Sequence, residues 1–170
     1  MSRYVYAFVL ILAAALSRML PHPANMVPVT ALALFGGVYL DRKLTFIVPL
    51  VAMLVTDWFI GFHSTTLWVY VSFLLIGLIG LWLRNHRGVL PTLGATVTGS
   101  VLFYLITNFG VWLSPPYMYE QTLSGLVQCY VAAIPFLRNT LAGDLFYVGA
   151  LFGLYEMGKR LIPSLREQTA

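Results

Sequence analysis

Charge is what this chain has least of. Lys, Arg, Asp and Glu make up 9% of its 170 residues, against roughly 25% in a soluble domain. With 59% hydrophobic residues, that scarcity excludes a soluble domain of any size and marks an integral membrane protein. Cysteine is almost missing. Cys129 stands alone, so neither an internal disulfide nor a Cys-x-x-Cys redox pair can form, and it reads as a buried apolar filler. Signature motifs are missing as well. There is no phosphate-cradling Gly-rich loop ending in Lys-Ser/Thr, no His-Glu-x-x-His helix and no Gly-x-Ser-x-Gly elbow. Catalysis is therefore not expected, nor any cofactor or metal. The net charge of +4 is no nucleic-acid signal, because the basic residues sit at the ends of apolar runs. The first such run lacks a small-x-small cleavage site, so a cleavable signal peptide is not expected.

What is present is a series of hydrophobic runs. A membrane-crossing helix needs about 20 apolar residues. The runs predict an all-α bundle of six transmembrane helices forming a single domain over residues 1–170. The spans are Tyr4–Leu20, Pro28–Leu40, Leu44–Phe62 with a kink at Pro49, Thr66–Leu83, Pro91–Leu113 and Thr140–Gly158. The stretch Gln121–Leu137 has a polar first half and Pro135 near its end. It is expected to form an additional outer helix, interfacial or re-entrant, rather than a seventh span. Small residues at helical spacing (Ala33 and Gly37, Gly94 and Thr98, Ala95 and Gly99) predict close helix packing. Glu156 and Arg160, four apart, predict a surface pair.

The few charges fall in two groups. Arg3, Arg42, Lys43, Arg84, Arg87, Lys159, Arg160 and Arg166 occupy the termini and alternate loops. Only Arg18 and Arg138 occupy the opposite loops. The positive-inside rule then puts both termini in the cytoplasm, which requires an even number of spans. The second span rises only about 20 Å against a hydrocarbon core of about 30 Å, so the Pro-rich stretch before it must dip below the outer surface. Backbone of that kind is tolerated where protein covers it or where it lines a wet cavity.

Counting from Lys43, Asp57 sits about 20 Å up its helix, in the outer third. Asn108, Arg18 and Asp144 come to the same level. Ionisable groups inside a membrane are paired or functional. Arg18, His22, Asn25, Asp57, His63, Asn108, Trp112, Tyr119, Arg138, Asn139 and Asp144 are accordingly the candidate lining of a pocket open to the outside. Trp112 and Tyr119 would contact a flat ligand, and Arg18 with Arg138 points to an anionic group on it. The competing reading is structural: two Arg and two Asp forming ion pairs in a non-transporting scaffold or assembly protein. An intramembrane enzyme would need two carboxylates close together around a cavity.

Three blocks carry a resemblance. They are Pro23-Ala24-Asn25-Met26-Val27-Pro28 running on to Gly36-Gly37, Thr107-Asn108-Phe109-Gly110-Val111-Trp112, and Phe136-Leu137-Arg138-Asn139-Thr140 running on to Asp144-Leu145-Phe146-Tyr147. Together they resemble a family of small uncharacterised bacterial membrane proteins related to the substrate-binding S-components of energy-coupling-factor (ECF) vitamin transporters. The resemblance implies a six-helix fold in the bacterial cytoplasmic membrane. It also implies a small vitamin-like substrate taken from outside near the loops after the first, third and fifth spans. S-components dock on an energising transmembrane and ATPase module through small residues of their first helix; Ala13 and Ser17 hold that place here. The partners so implied are the lipid bilayer, the substrate and such a module, with no nucleic acid.

Overall fold

The computed structural model describes residues 3–162, with side chains from Tyr4 onward. Arg166 and the side chain of Arg3, both counted in the charge argument, lie outside the described residues. Six helices and no strand occur among those residues: α1 Arg3–Ser17, α2 Val29–Tyr39, α3 Leu44–Ile60, α4 Thr66–Leu83, α5 Val89–Leu113 and α6 Leu123–Leu161. Local chemistry sets the ends. Pro28 fixes the entry to α2. Gly61, at φ +100, terminates α3 in a conformation that only glycine adopts without cost, its N–H donating to the Asp57 carbonyl. Gly88 precedes α5, and the Thr122 hydroxyl caps α6 by accepting from the Gly125 N–H at 3.2 Å.

By length and composition, α4 and α5 are the two helices able to cross a membrane. α1 and α3 are apolar but shorter. α2, with 11 residues, is a central post. Residues Val29 through Val38 are buried on every side, and α2 touches all five other helices. Its flanking residues Pro28 and Leu40 are buried as well.

α2 and α4 approach closely. A Cβ on Gly37 would stand 2.5 Å from the Gly80 backbone, and one on Gly80 would stand 2.9 Å from the Leu34 carbonyl. The expected packing role of Ala33 and Gly37 holds here, and that of Ala95 and Gly99 holds on α5, where both are buried. Gly94 and Thr98 are different. Both are exposed, and a Cβ on Gly94 would meet nothing within 4 Å.

The largest departure from expectation is α6. No separate outer helix forms over 121–137. That stretch is the first part of one helix of 39 residues with Pro135 inside it, about 58 Å along its path. Its contacts show that it bends. Cys129 and Tyr130 meet α5 at Asn108 and at Tyr104 and Leu105. Asp144, fourteen positions later, meets Ser100. A straight antiparallel pair would advance equally on both helices, so α6 bows away from α5 around Pro135, which removes one helical hydrogen bond and kinks without breaking.

The surface is inverted relative to a water-soluble fold. Thr30, Thr45, Thr56, Asp57, Ser72, Thr96, Ser100, Thr140 and Asp144 are buried, while Trp58, Phe59, Leu67, Leu78 and Trp82 stand out from the bundle, Trp58 at 77% exposure. The helices run alternately between two ends. At one, the Tyr4 hydroxyl reaches Asp41, Tyr6 reaches the Leu154 carbonyl and Arg84 reaches the end of α2. At the other, Arg18 reaches Asp57 and Asn139 reaches Ala24. The first is the basic end, where Arg42, Arg87, Lys159 and Arg160 also lie.

Candidate functional site

The eleven residues singled out in the sequence separate into clusters. Arg18, one position past α1, extends its guanidinium to α3. It pairs with Asp57 Oδ1 at 2.6 Å, the two side chains being 11% and 9% exposed. Its Nη1 donates to the Thr56 hydroxyl at 2.7 Å, and the Tyr70 hydroxyl donates to Asp57 Oδ2 at 2.7 Å. Both carboxylate oxygens are thus engaged, and α1, α3 and α4 are tied at one level. The buried Arg18 Nε has no hydrogen-bond partner. Because a buried pair stripped of one member leaves an uncompensated charge, this cluster suits bracing.

Asp144 lies on a different face. It is 1% exposed, and the Ser100 hydroxyl donates to its Oδ2 at 2.6 Å. Thr30, in the first turn of α2, lies beside the same side chain. No described cation pairs with Asp144; the ion pairs among the described residues are Arg18–Asp57 and Lys159–Glu156. A carboxyl group beside the N-terminal turn of α2 complements the positive end of that helix. Arg84 does the converse at the other end. Its Nε and Nη2 donate to the Gly37 carbonyl at 2.9 and 2.6 Å, and Nη2 also reaches the Leu40 carbonyl. The central helix is therefore bracketed by an acid at its start and a base at its finish.

The other candidates are dispersed. Asn139 Nδ2 donates to the Ala24 carbonyl at 3.0 Å, fastening the loop before α2 onto α6. Asn108 Nδ2 turns back to the Tyr104 carbonyl of its own helix. Trp112 Nε1 donates to the Glu120 carbonyl at 2.8 Å, and Tyr119 is half-buried in the same loop. His22, Asn25, His63 and Arg138 are exposed. One His22 ring nitrogen lies 3.3 Å from the Arg18 carbonyl. His63 Nδ1 sits among the hydroxyls of Thr65 and Thr66. The Pro-rich stretch is exposed from Pro21 to Asn25, and coverage begins only at Met26, against which Gly143 packs. Of the eleven, the structure brings Arg18 to Asp57 and His22 to Arg18.

A cavity of about 610 Å³ lies toward the basic end. Its walls are Val38, Leu83, Val89, Leu93, Leu145, Val148 and Phe152, with Thr92, Thr96, Gly149 and Gly153, and its inner rim is Tyr39, Arg87, Glu156 and Lys159. None of the eleven lines it. The rim is ordered. The Tyr39 hydroxyl donates to Glu156 Oε1 at 3.0 Å, and Lys159 Nζ donates to both Glu156 oxygens at 3.2 and 3.0 Å. The Arg87 guanidinium lies 5.7 Å from the Tyr39 ring centre, a cation–π distance. Glu156 therefore pairs with Lys159, three residues on, and with Tyr39 of another helix. The expected partner Arg160 is exposed. A smaller hollow of about 160 Å³ adjoins, bounded by Asp41, Arg84 and Tyr155 together with the same Arg87 and Lys159.

In the sequence this rim is inconspicuous, because Arg87 and Lys159 read as markers of topology. Two signals could have exposed it. Glu156 is an acid among basic neighbours, and Gly149 and Gly153 are four apart on α6, where a Cβ on either would meet nothing within 4 Å. Among the described residues no group of three His, Cys, Asp or Glu could hold a metal ion. The cavity instead offers an apolar bed closed at one end by cations and a phenol, suited to holding a molecule that is apolar along most of its length.

No curated protein and no solved structure matches the chain. One family model does, over residues 1–165. That match takes in all six helices, both polar clusters and the cavity, and the chain belongs to DUF6580, a family of unknown function.

Proposed function

We propose that this chain is a multi-pass protein of the bacterial cytoplasmic membrane, six helices crossing the bilayer with both termini in the cytoplasm, and that it binds a small molecule within the bundle as a non-catalytic transport component of the S-component kind. The inverted surface supports the membrane reading: buried Asp, Thr and Ser with exposed Leu, Phe and Trp is an arrangement stable only where the surroundings are apolar. The even number of helices and the gathering of basic residues at one end support the orientation.

The observation that carries the binding function is the cavity of about 610 Å³. It falls within the range of small-molecule sites, about 300–1,000 Å³, and it has their composition, mostly apolar with a few convergent polar groups. The outer candidates act in this reading as the closure above the chamber, with the Arg18–Asp57 pair holding α1 against α3. The test is native mass spectrometry of protein extracted in mild detergent. A non-covalent small molecule retained by the wild-type chain supports the reading. A bare polypeptide whose unfolding temperature no ligand raises contradicts it.

A second reading, a scaffold or assembly protein without a ligand, is favoured by one observation. Both carboxylate oxygens of Asp57 are taken up by Arg18 and Tyr70, which ties three helix ends together. It predicts the bare, ligand-indifferent protein.

A further inference from the structure

Resting on the reading of this chain as a membrane-embedded binding protein, we propose that the chamber holds an anionic membrane lipid, its acyl chain in the apolar bed and its phosphate at Arg87 and Lys159. Three observations converge on that occupant. First, the bed offers little to a polar molecule: the Thr96 hydroxyl is turned back to the Thr92 carbonyl at 2.8 Å, and apart from the Thr92 hydroxyl the remaining wall is aliphatic, aromatic or glycine. Second, the chamber opens sideways. Val89, Leu93, Leu145, Gly149 and Gly153 line it and are themselves exposed on the flank between α5 and α6, so a chain can enter from the bilayer without passing through water.

Third, the charge at the rim is complementary to a phosphate. Arg87 spends only Nε on the protein, donating to the Arg84 carbonyl at 3.2 Å. Its two terminal amino groups have no described hydrogen-bond partner, so they can serve a bidentate anion. Lys159 gives two contacts to one carboxylate and keeps a third hydrogen, since an ammonium carries three. Across the rim and the adjoining hollow, Arg84, Arg87 and Lys159 face Asp41 and Glu156, an excess of one positive charge. The glycines make the groove: side chains at 149 and 153 would project into the space that the acyl chain needs.

The experiment uses the full chain, purified and delipidated in detergent, with thermal unfolding read in the presence of phosphatidylglycerol, phosphatidylcholine or inorganic phosphate. Phosphatidylglycerol is expected to raise the unfolding temperature by several degrees, phosphatidylcholine by less than half as much, and phosphate alone not at all. Gly153→Leu should abolish the lipid shift while leaving the lipid-free unfolding temperature unchanged or higher, because leucine is the better helix former. Gly149→Leu serves the same purpose should the first variant fail to fold. Arg87→Gln should weaken phosphatidylglycerol binding about tenfold, roughly one charge-assisted contact.

Equal protection by both lipids overturns the headgroup assignment, and a full lipid shift in Gly153→Leu overturns the chamber as the site. Protection by phosphate alone would make this an anion site without a lipid. If both lipids are inert on the wild type, the lipid proposal falls. Native mass spectrometry then separates the two failures: a retained small molecule lost in Gly153→Leu leaves the binding reading standing, and a bare wild-type chain removes that as well.

Discussion

Asp57 and Arg84 show how individual residues divide the polar inventory of this chain. Asp57 receives a guanidinium and a phenol on its two oxygens, so its removal strands the Arg18 charge in the interior. Asp57→Ala is expected to cost about 3–5 kcal/mol, the range for breaking a buried pair from one side, measured by unfolding in micelles. The double change Arg18→Met with Asp57→Leu should recover most of that loss, since apolar replacement of a whole buried pair is often neutral or better. A stable Asp57→Ala protein with lost ligand binding would instead make Asp57 part of the site. Arg84 is a cap. Arg84→Gln leaves carbonyls at the end of α2 under-satisfied and should cost about 1–3 kcal/mol, with no effect on which side of the membrane the termini lie. At this scale the sequence was legible in location and not in role. That Asp57 and Arg18 stand at one level followed from counting residues. That they would meet each other, while Asp144 meets Ser100 and the start of α2, depends on rotations of helices that no spacing encodes.

The helices themselves were largely readable. α4 falls on Thr66–Leu83, the span read from hydropathy, and α2, α3 and α5 differ from expectation by one or two residues at their ends, because proline, glycine and basic residues punctuate them. α6 was not. Polar residues at 121–128 and Pro135 resemble a boundary in one dimension, yet packing of Cys129 and Tyr130 against α5 holds the first part helical and the proline merely bends it. The separate outer helix of the sequence reading is the start of this element. The α2–α4 contact yields a paired prediction. Gly37→Ala forces a Cβ against the Gly80 backbone at 2.5 Å and should cost about 1–3 kcal/mol or more by overpacking. Gly94→Ala on the open face of α5 meets nothing and should stabilise by about 0.5–1 kcal/mol. Equal effects of the two changes in a thermal unfolding series would contradict the packing described.

At the scale of the whole molecule, the asymmetry of charge does two jobs. It separates a basic end from an end where Arg18 and Arg138 stand almost alone, and it places cations on the rim of the cavity. The sequence reading located the polar pocket at the end poor in basic residues. The cavity of about 610 Å³ is near the other, where α6 presents glycine at 149 and 153 and leaves a groove beside α5. A volume of that kind is made by what two helices fail to fill; the glycine pair hints at it in one dimension but does not place it. The orientation is the claim on which the rest depends, since it decides whether the chamber meets the cytoplasmic or the outer leaflet. Its most direct measurement is labelling of intact cells with a membrane-impermeant thiol reagent, in a Cys129→Ser background carrying either Ser64→Cys, between α3 and α4, or Asn85→Cys, between α4 and α5. The account predicts that Ser64→Cys labels in intact cells and Asn85→Cys only after permeabilisation; labelling of Asn85→Cys from outside would contradict it.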